Sequence, residues 1–261
     1  CADVTLQAGI HLPRMIKKGH AGFEIHWNLT LPGKSYYINP HGLWQRAVPT
    51  QIAGSQTLML SLEDTLLYLC LHAAYKHHFS FGLRPLCDIN ELIERSGNTL
   101  DWDAVVNRAC NQKWQRGIFM VLQLAVDIME ATIPEVVLKR LRPADTSNAV
   151  LDAVRAQLFT DKSLAQSIPD SFAKILESRG LIDKIKIIGE RVFVPKVLIA
   201  NKYSIPENSL RIYGGYLHRF YDVLHSHGNT FKKIEKLYKK NSTVKSIAER
   251  KKIIADWLEV E

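Results

Sequence analysis

The feature that most constrains this chain is the helical spacing of its apolar residues from Ser61 onward. Ser61-Leu62-Glu63-Asp64 has the hydroxyl-then-acid form of a helix start, close to a capping box. Leu62, Leu66, Leu69 and Ala73 then fall on one face. Gly82 breaks that segment. The same period predicts helices over Pro85–Arg95, stopped by Gly97, and over Asp101–Lys113, Gln115–Glu130, Pro134–Leu141, Ser147–Phe159 and Ser171–Ser178. Further helices are predicted over Leu210–Ser226, Phe231–Tyr238 and Ile247–Leu258, the last anchored by Ile247, Ile253, Ile254 and Trp257. A chain patterned this way buries its core by packing helix on helix.

Ahead of Ser61 the period changes. Phe23 to Leu29 alternates, with Glu24, His26 and Asn28 on one side and Phe23, Ile25, Trp27 and Leu29 on the other, which predicts a strand. Pro32-Gly33 marks a turn, Tyr36 to Ile38 a short partner strand, and Asn39-Pro40-His41-Gly42 another turn. Leu43 to Ala47 fits one helical turn, and Leu58 to Leu60 a short extended piece. Gly189 to Ala200, rich in Val and Ile, fits either a strand or a buried helix. The expected fold class is therefore α+β. A small β region, residues 1–60, precedes a helical domain, residues 61–261, whose C-terminal part is basic.

The bulk numbers set limits on function. With 261 residues, 46% hydrophobic and 23% charged, the chain is long enough for a substantial core. No apolar run reaches the ~20 residues of a membrane helix. Cys1, Cys70, Cys87 and Cys110 form no Cys-x-x-Cys pair, so a zinc site or disulfide framework is not expected and a reducing cytoplasm is. The chain opens on Cys1 rather than Met, with no signal-peptide pattern, and the expectation is a fragment. Cys1 to Ala173 holds 16 Lys/Arg against 16 Asp/Glu, whereas Lys174 to Glu261 holds 18 against 10, so the whole net charge of +8 sits in the last third. Such a basic stretch, with Phe231 and Tyr238 in it, fits either a solvated helix face or contact with nucleic acid or an anionic surface.

Several residues invite chemical readings. Asp101-Trp102-Asp103 has the form of a metal-binding Asp-x-Asp pair, but helical spacing follows it, so Asp101 is expected as an N-cap and Asp103 as a first-turn acid. Gly54-Ser55 is followed by Glu63-Asp64 at a helix start rather than by an Asp-x-Asp strand. His72 and Lys76, four apart, share a helix face, while His77 and His78 are expected to point elsewhere. A hydrogen bond between His72 and Asp88 across two packed helices is the structural alternative to a functional role for His72. No His-Glu-x-x-His, P-loop, dinucleotide fingerprint or nucleophile elbow is present.

Five pieces in order carry a resemblance: Phe23-Glu24-Ile25-His26-Trp27; Leu43-Trp44-Gln45-Arg46-Ala47; Leu62 through Ala74; Leu86-Cys87-Asp88-Ile89-Asn90-Glu91-Leu92-Ile93; and Asp101-Trp102-Asp103 with Asn107-Arg108-Ala109. Together they resemble the uncharacterised nucleotidyltransferase family, with its polymerase-β-like fold, and the resemblance weakens after about Pro134. It implies transfer of a nucleotidyl group from a nucleoside triphosphate to an acceptor whose identity is open, with magnesium as the divalent metal. It implies a Gly-Ser turn and an Asp-x-Asp pair ahead of the Glu-Ile-His-Trp strand, and a third carboxylate on a later strand. Only the third has a counterpart, Glu24, with His26 on its face. Two metals need several hard oxygen ligands, and one carboxylate is too few. The chain as given is therefore expected to be inactive or a portion of a longer enzyme.

On this reading Glu24 is the metal ligand and, with His26, the catalytic pair. Lys76 and Arg84 meet the triphosphate, and His72 and Asp88 support the site. The rival reading is a non-catalytic helical module that binds a protein or nucleic-acid partner through the basic C-terminal part. A degenerate relative that keeps the fold and has lost the chemistry is the third.

Overall fold

The computed structural model describes residues 15–17, 19–30, 36–161, 164, 189, 192–194 and 196–259. The expected turn at Pro32-Gly33 and the expected helix over Ser171–Ser178 lie outside them. The chain divides into two compact units, Cys1–Gly33 with Ser171–Ala248, and Lys34–Asp170 with Glu249–Glu261.

The unit built on Lys34–Asp170 begins with α1 (Pro40–Arg46). Asn39 caps it by accepting from the N–H of His41, and Pro40 fills the first turn, where a missing N–H costs nothing. The Asn-Pro-His-Gly cluster is thus a helix start rather than a turn. A hairpin follows, with β1 (Val48–Ile52) antiparallel to β2 (Ser55–Met59) and Val48 opposite Met59. Ala53 and Gly54 close it with φ of 49° and 81°, the paired left-handed geometry that suits the twist of a tight hairpin. This hairpin, not a sheet built on Tyr36 to Ile38, is the regular β-structure among the described residues.

Next come α2 (Leu62–Leu71), which continues as a π-helical turn over His72–Lys76, then α3 (Arg84–Ser96), α4 (Trp102–Asn111), α5 (Gln115–Met129), α6 (Glu135–Leu141) and α7 (Asn148–Leu158). Ser61 and Asp101 cap their helices as expected, and Ser147, expected as the first residue of its helix, is its N-cap. Ser61 Oγ accepts from Asp64 N, Asp101 Oδ1 from Ala104 N and Ser147 Oγ from Val150 N. Gly97, at φ 51°, ends α3.

Helix α5 is the centre of this unit, with Ile118 through Leu122, Leu124 and Ala125 all buried. Leu66, Leu71, Leu86, Ile89 and Leu141 surround it. Trp114 gives α5 no side-chain cap, and the hydroxyl of Tyr75 accepts from Gly117 N at 3.3 Å instead. That approach requires glycine, because a Cβ on Gly117 would lie 2.2 Å from the Tyr75 ring.

The other unit shows α8 (Lys196–Tyr203) against α9 (Arg211–Lys240). Within the Val/Ile-rich stretch, Lys196 to Ala200 is helical, and Phe193 and Val194 are a bend and irregular backbone ahead of it. The two predicted helices at 210–238 are one, running through Gly228-Asn229 without a break. Ile199, Ala200 and Ile212 make a small core, edged by Tyr203, Ile205 and Tyr216. The final helix, α10 (Ser242–Leu258), whose residues from Glu249 on belong to the unit built on Lys34–Asp170, buries Ile247, Ile254 and Trp257 as expected and leaves Ile253 exposed. Among the described residues no helix is long and apolar enough to cross a membrane. The α+β class, mostly helical with a small antiparallel sheet, is the observed architecture.

Candidate functional site

A polar cluster joined by three side-chain hydrogen bonds centres on Asp64, in the first turn of α2. Its side chain is only 3% exposed, a costly place for a carboxylate without partners. Arg46, the last residue of α1, donates from Nε to Oδ2 at 2.7 Å and from Nη2 to Oδ1 at 3.1 Å. Arg108 of α4 donates from Nη1 to Oδ1 at 3.0 Å. Beside this, the Asp101 N–H at the start of α4 donates to Glu63 Oε1 at 3.2 Å. A single carboxylate thus ties α1, α2 and α4 together. The two guanidinium groups outnumber it, leave the cluster net positive, and remain partly open to solvent.

Residues 6–130 match the model of the uncharacterised nucleotidyltransferases. The match spans all five motif pieces and stops where the resemblance fades, so this stretch is nucleotidyltransferase-like. Arg46, Asp64 and Arg108 come from three of those pieces and hydrogen-bond to one another through Asp64. No curated protein and no solved structure matches the chain.

Within the nucleotidyltransferase-like stretch, the segment carrying Glu24 is less regular than its alternation predicts. Phe23 forms an isolated antiparallel bridge with Met15, donating to Met15 O at 3.0 Å and accepting from Met15 N at 2.9 Å. His26 is the other bridged position in this segment. Phe23 and Ile25 are exposed and Trp27 and Leu29 only half-buried, so the apolar side is too weakly covered to pin a regular strand. Glu24 and His26 do share a side, with Glu24 Oε2 3.5 Å from His26 Nε2 and both side chains about one-third exposed.

The other expected site residues separate into two sets. Lys76, Arg84 and Asp88 are exposed, on the π turn and on α3. His72 is half-buried, and its Nε2 meets His77 Nε2 at 3.2 Å, not Asp88. The cause is the π turn. Positions five apart on an α-helix diverge by ~140°, but the wider i→i+5 winding brings His77 back over His72. Sequence periodicity, which assumes 3.6 residues per turn, aims His77 elsewhere. Burial, then the nearby charge of Lys76, holds the His72 imidazole below its usual pKa.

Magnesium, which the family implies, prefers about six oxygen ligands in octahedral geometry and commonly keeps waters beside one or two carboxylates and substrate phosphates. Glu24 supplies an oxygen of the right kind, but its close neighbour is an imidazole nitrogen, a donor suited to softer metals. Among the described residues no group of three or more His, Cys, Asp or Glu gathers to hold a metal. The described residues do not by themselves fit a two-metal centre.

Proposed function

We propose that the chain serves nucleotidyl transfer, in which an acceptor nucleophile attacks the α-phosphate of a nucleoside triphosphate and pyrophosphate leaves. The observation that carries this reading is the family match over residues 6–130. Glu24 is proposed as the surviving metal ligand, with His26 beside it as the second member of the catalytic pair, and magnesium as the metal. Lys76 and Arg84 are proposed as triphosphate contacts. Both are long exposed cations flanking the turn that follows α2, which is what binding a mobile polyanion calls for.

The test uses the natural gene product, an α-labelled nucleoside triphosphate and magnesium. Label is expected to pass to an acceptor. Glu24→Gln is expected to lower transfer by about 100-fold while triphosphate still binds. Lys76→Ala and Arg84→Ala are each expected to weaken triphosphate binding by about tenfold. Transfer unchanged in Glu24→Ala removes the metal-ligand assignment.

A second reading, a binding module for nucleic acid, is favoured by one observation. Helix α9 exposes Tyr213, Phe220 and Tyr221 within the part of the chain that carries the positive excess. Binding to single-stranded RNA that weakens steeply with salt would support it, and no binding at low salt would remove it.

A further inference from the structure

The π turn that ends α2 brings two imidazoles together. His72 and His77 approach Nε2 to Nε2 at 3.2 Å. Phe81 closes one side of the pair, its ring centroid 3.8 Å from that of His77 and parallel to His72 at 6.3 Å. Tyr68 leans on His72 from the preceding turn, at 5.7 Å. Both histidines are half-buried, so their rings sit in partly apolar surroundings, with centroids 4.4 Å apart and planes inclined at 70°.

We propose that His72 and His77 form a two-imidazole site for a borderline-soft divalent metal of the zinc or copper class. Two nitrogens each ~2.0–2.1 Å from a tetrahedral zinc lie ~3.3–3.4 Å apart, close to the separation the π turn sets without any metal. Lys76 itself is exposed and turned to solvent on the same element, so its charge tempers the affinity.

No third His, Cys, Asp or Glu among the described residues completes a cluster. Two coordination positions are therefore left for water or for an exogenous ligand, which is the arrangement of an open rather than a closed structural site. The π turn supplies the reason the site exists. An α-helical continuation would send the rings apart, and single π turns recur at functional positions. The site is independent of the magnesium chemistry proposed above, because magnesium selects oxygen donors.

The competing explanation of the same geometry is a direct imidazole–imidazole hydrogen bond, and the experiment separates the two. The untagged 261-residue chain is titrated with zinc by calorimetry in excess magnesium, and with cobalt(II) as a spectroscopic probe. One site in the micromolar range is expected, with cobalt absorption bands of tetrahedral or five-coordinate nitrogen ligation. His72→Gln and His77→Gln are each expected to weaken that site by at least about tenfold, while His78→Gln, one position along, leaves it unchanged. Circular dichroism on each variant checks that the fold is kept. Should either variant unfold, the cobalt spectrum of the unaltered chain decides: an octahedral, water-like spectrum overturns the site. Zinc affinity unchanged in His72→Gln and His77→Gln, or lost in His78→Gln, overturns it equally.

Discussion

Helix α5 and helix α9 are both amphipathic, yet they stand in opposite situations. Helix α5 is enclosed, and Phe119 on it is 1% exposed. Helix α9 packs one side, Ile212 and Gly215, against α8 and leaves Tyr213, Leu217, Phe220 and Tyr221 exposed. The difference teaches that apolar periodicity marks a helix without saying whether its stripe is covered. Enclosure of α5 needs close backbone approach, which Gly117 under the Tyr75 ring provides. Gly215 gives α9 the same closeness to α8, where a Cβ would lie 2.5 Å from Ile199. The second contact covers only one side of its helix.

The sharpest way to break this comparison is to remove one phenylalanine from each helix. Phe119→Ala is expected to cost about 3–5 kcal/mol, the transfer term plus the cavity left in an enclosed site. Phe220→Ala, at a side chain 45% exposed, is expected to cost less than about 1 kcal/mol. Urea unfolding followed by circular dichroism measures both. Equal losses would mean that the α9 stripe is covered in solution.

Next in size is the Asp64 cluster. Asp64→Asn leaves Arg46 and Arg108 facing each other without a carboxylate, and a loss of about 3 kcal/mol is expected. Both arginines keep some solvent, which argues against a larger value. The same denaturation experiment reads it, and a change within about 0.5 kcal/mol would show that the three helices hold without the staple.

How legible these features are in the sequence follows from how local their causes are. The helices from Ser61 to Leu158 are legible because caps and periodicity act within one turn, as at Ser61, Asp101 and Gly97. Strand β1 is not, since Val48 to Ile52 is largely exposed along its length and so carries no alternation of burial. Gly228-Asn229 resembles a break, yet α9 continues through it, because a glycine penalty of about 1 kcal/mol is small against a 30-residue helix. The Asp64 staple was invisible for a different reason. Its partners lie 18 and 44 residues away, and the backbone cap at Ser61 already explained the acid. The signal was present in the motif pieces, which carry Arg46, Asp64 and Arg108 together. The His72–His77 pairing was hidden by the π turn, which no 3.6-residue period foresees. Glu24 and His26 were legible as neighbours on one side, and their proposed chemistry came from resemblance alone.

The two glycines sharpen the comparison at intermediate size. Gly117→Ala drives a methyl into the Tyr75 ring, and a loss of about 1–3 kcal/mol is expected from overpacking. Pairing it with Tyr75→Leu should recover part of that loss, since the ring atoms that clash are gone. Gly215→Ala meets aliphatic methyls of Ile199 and Ile205 rather than an aromatic ring, so a loss nearer 1 kcal/mol is expected, about the low end of overpacking. A Gly215→Ala loss exceeding that of Gly117→Ala would mean that the small α8–α9 core is the less yielding of the two.

The smallest effect belongs to the exposed network between α8 and α9. Lys202 Nζ and the Tyr203 hydroxyl both donate to Asp222 Oδ2 at 2.8 Å, and His218 lies 3.6 Å from the other oxygen. The Lys202 hydrogen bond first, then that from Tyr203, holds the Asp222 carboxyl below its ordinary range. A carboxylate depressed in the folded state contributes stability above its unfolded pKa, and that contribution is lost as pH falls through the folded value. Asp222→Asn is therefore expected to lower stability slightly at neutral pH and to match the unaltered chain in strong acid, below the usual aspartate range. Solvent screens the pair, so the neutral-pH difference should shrink further in 1 M salt. A difference that persists in acid would mean that Asp222 acts through packing and not through its charge.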